Sequence, residues 1–310
     1  MPLPDDAKVV ALANDLLAVF DQIFGLHPGY RAAHAKGIML KGTFRPSPQA
    51  VKLSRAEHFS RELPVFVRFS NSTGLPQLPD NDPAANPRGF ALRFFLAEHR
   101  HTDIVGHSID SFPNRDGAEF LDFLKATIDS QPGALDKFIA AHPATESFIK
   151  APKPTPASFA TEKYFAVLAF KFINAQGAEQ YGRFRILPES EEYLSQEEAA
   201  KEDQDYLVAE IVERLKDNPV RFKLMVQLAQ EGDITNDATV RWPEDRPLVE
   251  LGAIELTEPV EDNAAKQQQI IFDPIPRIDG LEASDDPLFE LRAAIYLLSG
   301  RRRRAAAPVG

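Results

Sequence analysis

The chain has 310 residues, 44% of them hydrophobic and 26% charged, and a net charge of −11 at pH 7. That length and balance suit a globular protein with a sizeable core, and the acidic excess argues against a nucleic-acid partner. The absence of cysteine excludes disulfides, thiolate nucleophiles, zinc–thiolate and iron–sulfur sites, and any group held by a cysteine sulfur.

The N-terminus, MPLPDDAKVV, is acidic where a secretion signal would be basic. No apolar run reaches membrane-spanning length, so the sequence predicts a cytoplasmic protein with no membrane partner. DDAKVVALANDLLAVFDQIFG carries Val9, Val10, Leu12, Leu16, Leu17, Phe20 and Ile23 at helical spacing. Asp5 or Asp6 can cap that helix and Gly25 can end it. GYRAAHAKG follows and sets His34 three residues after Arg31 and three before Gly37. A lone histidine is ordinarily a surface residue or a satisfied core residue, and the segments downstream decide whether His34 is more.

GIMLKGTFRPS, PVFVRFS, GFALRFFLA and TDIVGHSI come next. They are short, rich in aromatic and β-branched residues, and separated by Gly, Pro, Asn and Asp, which predicts strands. A mainly helical interval holds GAEFLDFLKATID, GALDKFIAAH and ATESFIKA, and the proline-rich APKPTPASFA closes it. Strand patterns return in YFAVLAFKFINA, EQYGRFRILP, PVRFKLMVQLAQ and PLVELGAIELTE. The acidic SQEEAAKEDQDYLVAEIVERLKDN, ahead of the last two, reads as helix. DPLFELRAAIYLLSGRRR is the final helical candidate, and the run Arg301–Arg304 reads as a solvated basic tail. No repeat of solenoid period is present.

Two groups of about four strands, separated by helices and with a helix at each end, predict an α+β fold. Closing eight antiparallel strands into a barrel removes the exposed edges and leaves the helices peripheral. The chain reads as a single domain, 1–310. Residues 1–28 form an N-terminal helix, 29–284 a barrel core with helical insertions, 285–299 a helix carrying Tyr296, and 300–310 a basic tail.

Four pieces hold the candidate chemistry: RAAHAKG with His34, VRFSNSTGLP with Arg68 and Ser70, NPRGFALRFF through TDIVGHSIDSFPNRD with His107, and RAAIY with Arg292 and Tyr296. Arg292 and Tyr296 are four apart and share a helix face. A guanidinium beside a phenol oxygen favours negative charge there, and a tyrosinate is one protein ligand of ferric haem.

In this order the pieces resemble the haem catalase family, from about Gly29 to Tyr296. RAAHAKG resembles its distal-histidine segment, PVFVRFSNSTG and NPRGFALRF the strands after it, and TDIVGHS the next strand. RWPEDRPLVELGAIEL resembles a late barrel strand and its approach, and IFDPIPRIDGLEASDDPLFELRAAIY the run into the proximal helix. The resemblance implies a catalase-like barrel with haem b (ferric iron) at its wall. It implies a minimal, catalase-related peroxidase that reduces hydrogen peroxide or organic hydroperoxides, with some catalase activity and an electron donor the sequence does not name. By position, Tyr296 would ligate iron, His34 would be the distal acid–base, and Ser70 would orient His34. Arg31 and Arg68 would face propionates, Arg292 the phenolate, and Phe120 would stack near the haem.

Three departures qualify the resemblance. His107 stands where catalases place an asparagine that donates a hydrogen bond to peroxide. It keeps a catalytic assignment and predicts a lower ratio of catalase to peroxidase activity. Leu168 stands where many catalases carry a proximal-side histidine. The family's C-terminal helical part and long N-terminal arm are absent, which predicts no NADPH and leaves a homodimer or other homo-oligomer open. A hydroperoxide isomerase or dehydratase of allene oxide synthase type and a non-enzymatic haem-binding protein are the alternatives. Rapid hydrogen peroxide turnover, fatty-acid hydroperoxide conversion without a reductant, or neither would separate the three.

Overall fold

Eight strands close into a ring in the computed structural model, which describes residues 2–308. They are β1 (Gly37–Pro46), β2 (Leu63–Ser70), β3 (Gly89–Ala97), β4 (Arg100–His107), β5 (Tyr164–Phe165), β6 (Glu179–Pro188), β7 (Val220–Leu228) and β8 (Leu248–Pro259). Each pairs antiparallel with its neighbours in the sequence, and β8 returns to β1 to shut the ring. This up-and-down order closes the ring, β4 and β5 meeting at a single residue pair, His107 with Phe165.

Strand alternation sorts the side chains. Val65, Val67 and Phe69 on β2, Phe90, Leu92 and Phe94 on β3, and Phe222, Leu224 and Val226 on β7 join one buried core. The rings of Phe69, Phe90, Tyr164 and Phe222 meet with centroids 4.9–6.1 Å apart. The barrel is therefore filled by its own aromatic side chains. The opposite parity (Arg68 and Ser70 on β2, Gly89 and Ala91 on β3, Val105 and His107 on β4) falls on the outer wall.

Helices cover that wall. The N-terminal helix, Ala7–Phe24, starts where the Asp6 carboxylate accepts from the Lys8 N–H, and ends at Gly25 with φ 80°. It packs against the C-terminal helix, Leu288–Ala305, and against Gly117–Ile128. Among the described residues no helix is long and apolar enough to cross a membrane.

Four local expectations need correction. YFAVLAFKFINA is not one strand: β5 ends at Phe165, and Phe170–Ile173 branches off β6 to pair with Leu281–Ala283. The acidic segment forms two helices, Gln196–Ala199 and Tyr206–Asp217. Between them Lys36 draws the chain inward, donating to the Gln204 carbonyl (2.9 Å) and pairing with Asp205 (2.6 Å). The polar helix Asn263–Gln269 has no counterpart in the sequence reading. Finally, the arginine run is not a solvated tail: the helix continues through it to Ala305. Arg302 pairs with Asp21 and Arg303 is only 3% exposed. Residues 309–310 lie outside the described residues.

Candidate functional site

Cross-strand register builds the floor of the site. Ser70 pairs with Gly89 and Gly89 with His107, and one step along Arg68 pairs with Ala91 and Ala91 with Val105. Directly opposed residues point the same way, so two rows of outward side chains lie side by side. The middle strand contributes only Gly89 and Ala91, which keeps the floor low between polar walls. Above it lies a cavity that both rows of side chains line.

His34 hangs over this floor from the segment after the N-terminal helix. Its φ is +57°, a conformation that costs a non-glycine residue of the order of 1 kcal/mol and is held by its surroundings. Two backbone bonds hold it: the His34 N–H donates to the Ser72 carbonyl and the Ala35 N–H to the Thr73 carbonyl, both at 2.9 Å. The imidazole Nδ1 lies 3.1 Å from Ser70 Oγ. Gly89 makes room for the pair, because a Cβ there would sit 2.4 Å from Ser70 Oγ and 2.7 Å from His34 Nδ1. Burial, followed by the charge of Arg68, pushes the His34 pKa down to about 4. The ring is neutral at pH 7 and able to take a proton.

The opposite wall is the C-terminal helix. Arg292, Tyr296, Ser299 and Arg303 line the cavity, and their spacing of four, three and four residues puts them on one stripe. Arg292 donates to the Tyr296 phenol oxygen from both Nε (3.1 Å) and Nη2 (3.0 Å). The phenol oxygen thus faces a guanidinium and the cavity together. Leu168, also at the wall, is 1% exposed.

At one end three guanidiniums converge. Arg31 donates to the carbonyls of Gln267 and Ile270, and Arg68 to Gln267 Oε1 and the His34 carbonyl. Arg303 donates to the carbonyls of Gln268 and Ile270. These carbonyls belong to the end of the helix Asn263–Gln269, where helix geometry leaves acceptors without intrahelical partners. Burial and mutual repulsion lower the pKa of Arg31, while burial and the charge of Arg303 push Arg68 to about 9. Burial, then the charge of Arg304, pushes Arg303 to about 10. Among the described residues none of the three pairs with a carboxylate. The cluster caps the helix, and its three cations at one end of the cavity are the chemistry an anion needs.

His34, Ser70, His107, Arg31, Arg68, Arg292 and Tyr296 therefore meet in one cavity. Phe120 does not. It sits behind the wall, its ring centroid 5.1 Å from that of Phe112 and 6.2 Å from that of Phe20, and those two residues are the ones that reach the cavity. Arg303 was missed because it was read as tail. Its distance of eleven residues from Arg292, three helical turns, was the available signal.

Comparison with known proteins gives one family. The catalase family model matches residues 28–307. A catalase-related peroxidase of Mycolicibacterium paratuberculosis is 34% identical, over 92% of this chain and 94% of that protein. One from Synechococcus elongatus is 31% identical, over 94% and 88%. Among solved structures, catalase A from Saccharomyces cerevisiae aligns with a TM-score of 0.80 at 24% identity, over 94% of this chain and 64% of that one. A bacterial catalase aligns at 0.78 and 25%, over 99% and 64%. The solved structures share the fold over more than nine-tenths of the chain, and because the family model spans residues 28–307 this protein belongs to the catalase family.

Proposed function

We propose that the chain is an oxidoreductase acting on peroxide, that haem is its cofactor, and that peroxidase turnover with an external donor is its main activity. The observation that carries this reading is the opposition of two polar pairs across one cavity, His34–Ser70 on the barrel side and Arg292–Tyr296 on the helix side.

The residues present fit haem by the chemistry of their donors. A flat macrocycle with apolar faces and two carboxylates on one edge needs a low floor, apolar walls and cations at one end. Gly89 and Ala91 form the floor, Val105, Val167 and Leu168 are apolar wall, and Arg31, Arg68 and Arg303 form an arginine cluster that pairs with no carboxylate among the described residues. Tyr296 would supply the oxygen ligand, with Arg292 stabilising its negative charge. When bound, haem supplies the electron chemistry of peroxide reduction.

The chain's own groups then handle protons. His34 accepts the proton of one peroxide oxygen at Nε2 and returns it to the other, so that water or an alcohol leaves. Ser70 holds the ring at Nδ1 and the left-handed backbone of His34 holds it over the floor. Burial keeps the imidazole neutral before each turnover.

The test is the absorption spectrum and cofactor content of the purified protein, followed by oxygen evolution and donor oxidation with hydrogen peroxide and with an organic hydroperoxide. One haem per chain, a high-spin ferric spectrum of tyrosinate type and donor-dependent peroxide consumption are expected. A protein that takes up no haem under haem-replete expression would overturn the proposal.

A further inference from the structure

Two imidazoles reach the cavity, and their own chains hold them differently. His34 Nδ1 is partnered by a hydroxyl, Ser70 Oγ, which can accept or donate. His107 Nδ1 is partnered by the backbone N–H of Ile109 at 3.3 Å, and an N–H only donates. A ring nitrogen that accepts carries no proton, so the single proton of a neutral His107 sits on Nε2. That nitrogen has no hydrogen-bond partner among the described residues, while the ring lines the cavity one residue across the floor from Gly89.

We infer that His107 is a fixed hydrogen-bond donor to the ligand bound over the floor, its proton held on Nε2 by the Ile109 N–H, while His34 alone acts as the base. The inference rests on the proposed function and adds a division of labour to it. The two rings would be interchangeable if Nδ1 of His107 were free. The charged and titratable groups that act on His107 are Arg292 and His34, and both disfavour a positive charge on it. Together with burial, the largest effect, they push its pKa down to about 3. His107 therefore stays neutral throughout the working range. A donor whose acceptor nitrogen is already used cannot intercept the proton that His34 must take.

Fluoride binding to the ferric holoprotein tests this without turnover. The purified full-length chain is titrated with fluoride from pH 5 to 9 and followed by the haem absorption bands. Wild type should weaken about tenfold per pH unit, because one proton accompanies the anion and resides on His34. His107→Asn keeps a donor and should stay within about twofold of wild type at every pH. His107→Leu removes the donor and should bind about tenfold more weakly with the same slope, since one hydrogen bond to a charged ligand is lost. His34→Ala should lose the slope. A leucine variant with wild-type affinity, or one whose slope changes, shows that His107 does not donate or that it carries the proton, and overturns the inference. An asparagine variant weakened tenfold does the same, and it stands in for the leucine variant should that one fail to fold. A wild-type protein that binds no haem, or whose haem does not respond to fluoride, overturns the proposed function itself. The two failures are thus told apart.

Discussion

Gly89→Ala should keep the barrel and damage the site. The strand conformation at Gly89 is one any residue adopts, so the added methyl costs nothing in backbone strain. Its neighbours are the difficulty. The new Cβ would stand 2.4 Å from Ser70 Oγ and 2.7 Å from His34 Nδ1, well inside contact distance. Ser70 can turn its hydroxyl away, giving up the 3.1 Å bond to Nδ1. His34 has less freedom, because its N–H and that of Ala35 are tied to Ser72 and Thr73, and its ring must turn against that anchored backbone. One hydrogen bond at about 1 kcal/mol and one off-rotamer side chain at about 1 kcal/mol give a stability loss of about 2 kcal/mol. The effect on rate should be larger in proportion, about a hundredfold, because an ångström of misplacement at an acid–base group costs about that much. Denaturant unfolding and stopped-flow reaction with hydrogen peroxide at equal haem content would measure the two losses. Ser70→Ala in the same chain relieves one contact and should recover part of the stability but little of the rate. A Gly89→Ala protein reacting within threefold of wild type would mean that His34 does not act from the position described here.

Tyr296→Phe keeps the packing of the C-terminal helix and removes the phenol oxygen, so haem content or the ferric spectrum should change, and an unaltered spectrum would dismiss the ligand assignment. His34→Ala should retain haem and react with hydrogen peroxide some 10²- to 10⁴-fold more slowly, as read by stopped-flow absorbance. His58 supplies a pH prediction away from the site. It is fully buried against Phe59 and Phe94, both ring nitrogens lack a partner among the described residues, and burial pushes its pKa to about 3. The unfolded chain takes up this proton near pH 6.5 and the folded chain does not, so stability is complete above pH 6.5 and drains away as the pH falls toward 3. At pH 5 that loss is about 2 kcal/mol. His58→Leu should flatten the fall in denaturant midpoint between pH 7 and 5 by about that amount, and identical pH profiles would dismiss the idea.

The barrel was legible because its evidence is local. VRFS, GFALRFF and DIVGHS alternate along single strands, and the alternation that fills the core also sends Arg68, Ser70, Gly89 and His107 to the outer wall. Arg292 and Tyr296 were legible for the same reason, since a spacing of four fixes a shared face. The helix Asn263–Gln269 was not. Its sequence, NAAKQQQ, has no apolar stripe, and it is held by arginines from far along the chain, Arg31 lying 236 residues from Gln267. The division of the acidic segment at residues 200–205 was hidden likewise, because Lys36 supplies the pull. Phe120 shows the reverse error: its place in the segment is right, but Phe112, whose approach depends on the loop before it, takes the position nearer the cavity.

The arginine cluster also sets a timetable. Arg31 finds the Ile270 carbonyl 239 residues further along, and a ribosome adding about 5–20 residues per second needs roughly 12–50 s to bridge that interval. Throughout it neither Tyr296 nor Arg303 has been made. The cavity is consequently a property of the finished chain and of no earlier fragment. Its two walls, the outer face of the early strands and the stripe from Arg292 to Arg303, meet only once the last helix has been made.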